Sequence, residues 1–261
     1  MKVSIIGAGN MGGAIACGLA ANENFISNDL TVIDHRGRNI ERLKSISPNL
    51  NIVVNDYSSL TNADVIILAV KPWLIEATAK EANKFSSNPN QIIASVASGI
   101  SLEQLDEWIG HTKPIYRVMP NTAIAIQQSM TFVASLNATK EQDSIIINLF
   151  EKLGCVEYID EKLFSAATSL ASCGIAYAFR YIRAAMEGGV EMGIYPNQAK
   201  NIVLQTLRGA VNLIEANNSH PEAEIDKVTT PGGITIKGLN EMEHAGFTSA
   251  VIRGLKASNI K

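Results

Sequence analysis

Lys2-Val3-Ser4-Ile5-Ile6-Gly7-Ala8-Gly9-Asn10-Met11-Gly12 is a short β-rich run that breaks into glycines and then into a helical stretch, Met11 to about Ala21. Gly7-Ala8-Gly9-Asn10-Met11-Gly12 reads G-x-G-x-x-G. The three glycines serve different ends. Gly7 allows a tight turn, Gly9 lets the backbone approach a pyrophosphate, and Gly12 lets helix and strand pack closely. The helix that follows turns free N–H groups and a positive dipole end toward the phosphates. Strand, glycines and helix in that order are the context that makes the motif a dinucleotide-binding signature rather than a structural turn.

Working outward, strand and helix signals alternate. Leu30–Asp34 is a second strand, Asn39–Ile46 a helix, Asn51–Val54 a third strand and Asp64–Val70 a fourth, apolar as a strand covered on both faces should be. Pro72–Phe85 reads as helix and Gln91–Val96 as a fifth strand. Ile115–Met119, Ser129–Ala134 and Cys155–Ile159 extend the same sheet, with a helix over Lys140–Leu153. The expected fold is α/β: an N-terminal Rossmann-type, doubly wound, mostly parallel sheet followed by an all-helical C-terminal domain. The domains read as 1–158, which binds dinucleotide, and 159–261, where Tyr177, Tyr181, Ala185 and Val190 fall near helical spacing, as do Ile202, Leu207, Ala210, Val211 and Ile214. These helices carry apolar residues on more than one face. That surplus predicts a homodimer, or a higher assembly of dimers.

Composition bounds the class. With 46% hydrophobic and 18% charged residues, the chain of 261 residues is no disordered polymer. A formal net charge of -3 without a basic run argues against nucleic acid as a partner. The longest apolar runs fall far short of the ~20 residues that span a bilayer, so no membrane partner is expected. The residues up to Leu19-Ala20-Ala21 faintly mimic a secretory signal, but five glycine and asparagine positions interrupt them. Cys17, Cys155 and Cys173 form no CxxC pair, and no His, Asp or Glu cluster has metal-ligand spacing. A cytoplasmic protein with reduced thiols and no metal is the expectation.

Candidate site residues follow from position. Asp34 ends the second strand, where an acid holds the adenosine ribose hydroxyls and disfavours a 2′-phosphate. Arg36 and Arg38 follow and could clamp that phosphate, so the choice between NADH and NADPH stays open. Ala69-Val70-Lys71-Pro72 lies at the carboxyl end of the fourth strand, where loops line the ligand crevice. Thr229-Thr230-Pro231-Gly232-Gly233-Ile234-Thr235 is a glycine turn entering a helix at Ile236–His244, a natural anion cradle. On composition Thr235 is the N-cap of that helix.

The stretch Asp226–Thr235 closely resembles the signature of pyrroline-5-carboxylate reductase. Gly7–Gly12, Ala69-Val70-Lys71-Pro72 and Arg117-Val118-Met119-Pro120-Asn121-Thr122 are similar to other segments of that family, and the likeness runs from Lys2 to about Ala257. The resemblance implies reduction of L-1-pyrroline-5-carboxylate to L-proline with NADPH or NADH, by a Rossmann domain and a helical dimerisation domain. It implies that backbone amides of Thr230, Gly233 and Ile234, on the Gly232-Gly233 turn, hold the substrate carboxylate, while Thr235 bonds the ring nitrogen and is the catalytic residue. It places Val96, Ala97 and Ser98 beside the nicotinamide and Asn55 near the adenosine. The chain departs from the family pattern at Ile175 and Ala123, where prolines are common, and at Asp34.

The chemistry so implied needs no nucleophile and no metal, since a protonated C=N already accepts hydride. It needs orientation, with donor and acceptor carbons about 3–3.5 Å apart. Two other readings stay open at the level of sequence. One is a hydroxyacid or imine reductase of the 6-phosphogluconate-dehydrogenase-like group. The other is a non-catalytic dinucleotide sensor, against which the second anion cradle speaks.

Overall fold

The computed structural model describes residues 1–22, 25, 29–86 and 88–259, and everything structural below refers to these. β1 (Val3–Ile6) lies inside the sheet, flanked by β2 (Leu30–Asp34) and β4 (Val65–Leu68), and all four of its residues are buried. Val3 faces Leu30 on one side and Val65 on the other. Apolar runs at both neighbours are what a central parallel strand requires.

With β3 (Asn51–Val54), β5 (Ile92–Ser95), β6 (Ile115–Met119), β7 (Ser129–Leu136) and β8 (Gly154–Tyr158), the order is β3-β2-β1-β4-β5-β6-β7-β8. The strands from β3 to β6 pair in parallel, so the expected doubly wound sheet is present. β7 runs antiparallel to β6. Only residues 120–128 join them, too few for the crossover of a dozen or more that a parallel pair needs. α5 (Lys140–Glu151) then carries the chain back so that β8 is parallel to β7.

α1 (Asn10–Ala20) lays Ile15, Ala16 and Leu19 onto the sheet. α2 (Ile40–Ile46) and α3 (Ile75–Phe85) follow β2 and β4. Pro72 starts a single 3₁₀ turn, Pro72–Leu74, ahead of α3, because its missing N–H costs nothing at a helix start. The sequence reading assigned no element to α4 (Leu102–Ile109). The signal is local: Ser101 and Gln104 form a reciprocal capping box, and Gly110 closes the helix at φ +93°.

The chain divides into two compact units, Met1–Thr168 and Ser169–Lys261. The segment after β8, including the short α6 (Phe164–Ala167), stays with the first unit. Phe164 is fully buried there, beneath the Arg117 guanidinium.

The second unit is helical. A π-helical turn, Thr168–Cys173, leads into α7 (Gly174–Glu191), α8 (Pro196–Asn217), α9 (Pro221–Val228), α10 (Ile234–His244) and α11 (Phe247–Ser258). α7 and α8 approach closely, since a Cβ on Gly189 would stand 3.2 Å from that of Ala199. α11 is tied to α7 by Tyr177, whose hydroxyl reaches the Gly254 carbonyl and the Ser258 hydroxyl, and by an edge contact of Tyr181 with Phe247. Among the described residues of this unit, Ala199 is the one buried apolar side chain. The stripe read from the sequence as apolar helix face is open instead: Tyr177, Tyr181, Val190, Ile202 and Val211 are all exposed.

Candidate functional site: a dinucleotide cleft and a helix entrance

A cleft of about 1190 Å³ opens at the carboxyl ends of β1, β2 and β4. The topological switch point lies here, where β1 leads to β2 on one side and the chain crosses over from β3 to β4 on the other. The volume exceeds the ~300–1,000 Å³ of ordinary small-molecule pockets.

Gly7, Ala8, Gly9, Asn10 and Met11 line the cleft. The three glycines differ in what surrounds them. Gly7 sits at φ +112°, and a Cβ there would lie 2.6 Å from the Ala69 carbonyl oxygen. A Cβ on Gly12 would fall 2.0 Å from the Gly7 carbonyl oxygen, so Gly12 lies behind the loop and does not line the cleft. A Cβ on Gly9 would meet nothing within 4 Å. Two positions are crowded from within and the third faces open space, which is the steric pattern a pyrophosphate cradle requires.

Gly9 caps α1 without a side-chain bond, and the amides of Asn10, Met11 and Gly12 find no acceptor among the described residues. Arg42 reaches back from α2 and donates to the Ala8 and Gly9 carbonyls at 3.0 and 3.3 Å. That bond braces the loop and sets a cation behind it.

The loops after β4 and β5 supply the opposite wall: Ala69, Val70, Lys71 and Pro72, then Val96, Ala97 and Ser98. Ala69 is pinned by its N–H to the Ile6 carbonyl at 2.8 Å, and Ala97 by its N–H to Ser95 Oγ at 3.3 Å. Lys71 is exposed.

At the β2 end, Asp34 and Asn55 also line the cleft, and Arg36 does not. Its side chain and that of Arg38 are exposed outside it. His35 Nδ1 lies 3.1 Å from Asn55 Oδ1, which joins the ends of β2 and β3 across the cleft floor.

Sequence reasoning missed a third wall. Tyr57 and Phe85 stack with centroids 5.8 Å apart, and Ala77, Thr78 and Glu81 of α3, with Leu74 just ahead of it, continue the wall. Burial and the Glu81 charge push the Tyr57 phenol above its ordinary range. The signal is present in the sequence, since Leu74, Thr78, Glu81 and Phe85 fall on one face at helical spacing.

Thr230, Gly232, Gly233, Ile234 and Thr235 belong to the second unit. Gly232 turns at φ +70°, and the Gly233 N–H donates to the Thr230 carbonyl at 2.9 Å. The N-cap of α10 is Gly233, not Thr235. The chain enters the helix two residues ahead of the sequence-read start. Thr235 is therefore already helical, and its hydroxyl makes no hydrogen bond among the described residues. The amides of Ile234, Thr235 and Ile236 likewise find no acceptor there.

Residues 161–261 match the family model for pyrroline-5-carboxylate reductase dimerisation, and residues 2–99 that for NADP oxidoreductase, coenzyme F420-dependent. Pyrroline-5-carboxylate reductase 1 of Dictyostelium discoideum is 40% identical over 271 residues, covering 99% of this chain and 49% of the relative, so the chain spans about half that relative's length. Pyrroline-5-carboxylate reductase 2 of the same organism is 34% identical, with 98% of this chain and 90% of the relative covered. Pyrroline carboxylate reductase of Plasmodium falciparum, solved with NADP bound, superposes with a TM-score of 0.89 at 26% identity, over 99% of this chain and 95% of that one.

Proposed function

The chain belongs to the pyrroline-5-carboxylate reductase family, and from that premise we propose how it reduces the C=N bond of L-1-pyrroline-5-carboxylate to give L-proline. The first unit holds NAD(P)H and the second the substrate. The single observation that carries this reading is the Gly7–Gly9 loop at the switch point, with open space over Gly9 and unpaired amides at the start of α1. The dinucleotide, when bound, supplies the hydride.

The protein's part is position. The amides of Asn10 and Met11 face the pyrophosphate, Asp34 and Asn55 the adenosine ribose, and Lys71 with Val96, Ala97 and Ser98 the nicotinamide half. In the second unit, the turn Thr230-Pro231-Gly232-Gly233 presents the free Ile234 amide, beside that of Thr235, to the substrate carboxylate. The Thr235 hydroxyl, which no cap consumes, bonds the ring nitrogen and fixes the orientation of the ring. A proton on the ring nitrogen makes the carbon electrophilic, and it stays there in the amine product.

The second unit is the dimerisation module. A helical unit whose buried apolar side chains, among the described residues, reduce to Ala199 has little core of its own to offset the entropy of folding. A second copy laid over Phe179, Ile202, Val211 and Leu213 supplies one. Three unpaired cysteines suit a protein that works in the reducing cytoplasm.

The reaction is tested by mixing the purified protein with pyrroline-5-carboxylate and either nicotinamide, and following absorbance. Oxidation that depends on the pyrroline is expected. Oxidation driven by hydroxy acids or their keto forms, with none by the pyrroline, would overturn it.

A further inference from the structure

The adenosine end of the cleft carries charge of one sign. Asp34 closes β2 as a buried residue, 7% exposed, with its carboxylate held in three places. Oδ1 accepts the Arg36 N–H at 3.2 Å, and Oδ2 accepts the Asn39 N–H at 3.1 Å and the Asn39 side-chain amide at 3.2 Å. All three donors are neutral. They fix the carboxylate on the cleft wall without giving it a countercharge.

Asp56 stands nearby at the end of β3, its Oδ1 accepting the Ser58 N–H at 2.9 Å. The Ser58 backbone and hydroxyl hold its carboxyl below the usual range, so it is ionised at neutral pH. Glu81 lines the α3 wall. Among the described residues that line the cleft, Lys71 is the one lysine or arginine, and it follows β4 rather than β2. His35 is turned to Asn55. The two arginines that left the cofactor choice open in the sequence lie outside the cleft, and Arg36 contributes a backbone N–H that steadies Asp34.

A ribose 2′-hydroxyl donates a hydrogen bond, and a fixed carboxylate with lone pairs to spare accepts it. A 2′-phosphate near neutral pH has little to donate and brings close to two negative charges. Placed at the end of β2 it would face Asp34 and Asp56, while the one lysine or arginine among the described lining residues, Lys71, follows β4. We propose that the protein selects NADH over NADPH, and that Asp34 is the residue that sets this preference. The inference rests on the reductase reading above and names the cofactor that reading left open. Its specificity arises by exclusion, from a charge placed against the wrong ligand.

The test is direct binding, read by nicotinamide fluorescence without substrate, so that it does not depend on turnover. The wild-type protein is expected to bind NADH at least about tenfold more tightly than NADPH, a ratio that narrows as salt is raised. Asp34→Asn removes the charge at constant size and should narrow the ratio. Asp56→Asn, on an exposed side chain whose loss does not threaten folding, should narrow it too, by less. Equal or tighter binding of NADPH by the wild type overturns the proposal, as does a ratio unmoved by both substitutions. If NADH binds selectively but the pyrroline is not reduced, the reaction falls and the selectivity stands. If the pyrroline is reduced and NADPH binds more tightly, the selectivity falls and the reaction stands.

Discussion

Arg117 and Glu161, 44 positions apart, meet at 3.0 Å between Nη1 and Oε1, with side chains 15% and 29% exposed. The same Glu161 oxygen accepts the Leu102 N–H at 2.8 Å, at the start of α4, and the guanidinium lies 4.6 Å over the Phe164 ring. Arg117 also pairs in register with Ser95, one residue before the cleft wall at Val96. One carboxylate therefore ties the segment after β8 to the strand and helix that flank the cleft wall at Val96.

Removing that carboxylate leaves a largely buried guanidinium whose Nε already has no protein partner among the described residues. Glu161→Ala is expected to cost about 2–3 kcal/mol, read as a lower urea midpoint at unchanged slope. Glu161→Gln keeps an acceptor for Leu102 and should cost less.

The glycines of the cofactor loop separate fold from binding. Gly12→Ala drives a Cβ to 2.0 Å from the Gly7 carbonyl oxygen and should destabilise the protein by about 3 kcal/mol or more. Gly9→Ala meets open space, so its stability cost is about 1 kcal/mol or less, while its methyl enters the space proposed for the phosphates. Thermal melts and dinucleotide titrations on the two variants should therefore rank them in opposite orders.

Thr235 holds no capping bond, so Thr235→Ala should leave the melting temperature of the apoprotein nearly unchanged. If the hydroxyl bonds the ring nitrogen, kcat/KM falls about 10- to 150-fold, which corresponds to the ~1.5–3 kcal/mol of a hydrogen bond to a charged group. Thr235→Ser should restore most of it. A full rate in the alanine variant would remove Thr235 from the reaction.

Glu224 gathers Lys227 at 2.7 Å, the Ser219 hydroxyl at 2.5 Å and the Asn217 amide at 3.2 Å, and Lys227 and Ser219 in that order pull its carboxyl down to about 2. A depressed folded value means the stabilisation is fully present above the unfolded value of 4.5 and is lost as pH falls toward about 2. Glu224→Gln should therefore lower the melting temperature at pH 7, with the gap to wild type closing through that acid window.

A chain of 28.0 kDa that dimerises should scatter light at twice that mass. Its melting temperature should rise with protein concentration, because folding and association are then one equilibrium. A monomeric species with a concentration-independent melt would sink the dimer.

The parts legible in the sequence are those that local sterics and periodicity dictate. β2 and β6 stand where their apolar runs placed them, because a strand inside the sheet is covered on both faces, and β3, the edge strand, stands where its short β-branched run placed it. Gly7 and Gly12 announced their turn and their packing, because no side chain fits at either place. α4 is equally written in the chain, through the side chains of Ser101 and Gln104, although its apolar residues alone do not mark it.

What only the tertiary structure decided depends on which side chains meet after the chain has closed. Asp34 and Arg36 carry opposite charges two positions apart, and no pattern along the chain says which faces the ligand. The Asn39 amides and the Arg36 N–H settle it by holding the carboxylate on the wall while the guanidinium stays outside. Thr235 read as a cap until the helix began at Ile234, because a glycine can cap as well as a threonine and the turn geometry chose. Tyr177, Tyr181, Val190, Ile202 and Val211 read as apolar helix faces and stand exposed, since periodicity shows that a face is apolar but not which surface covers it.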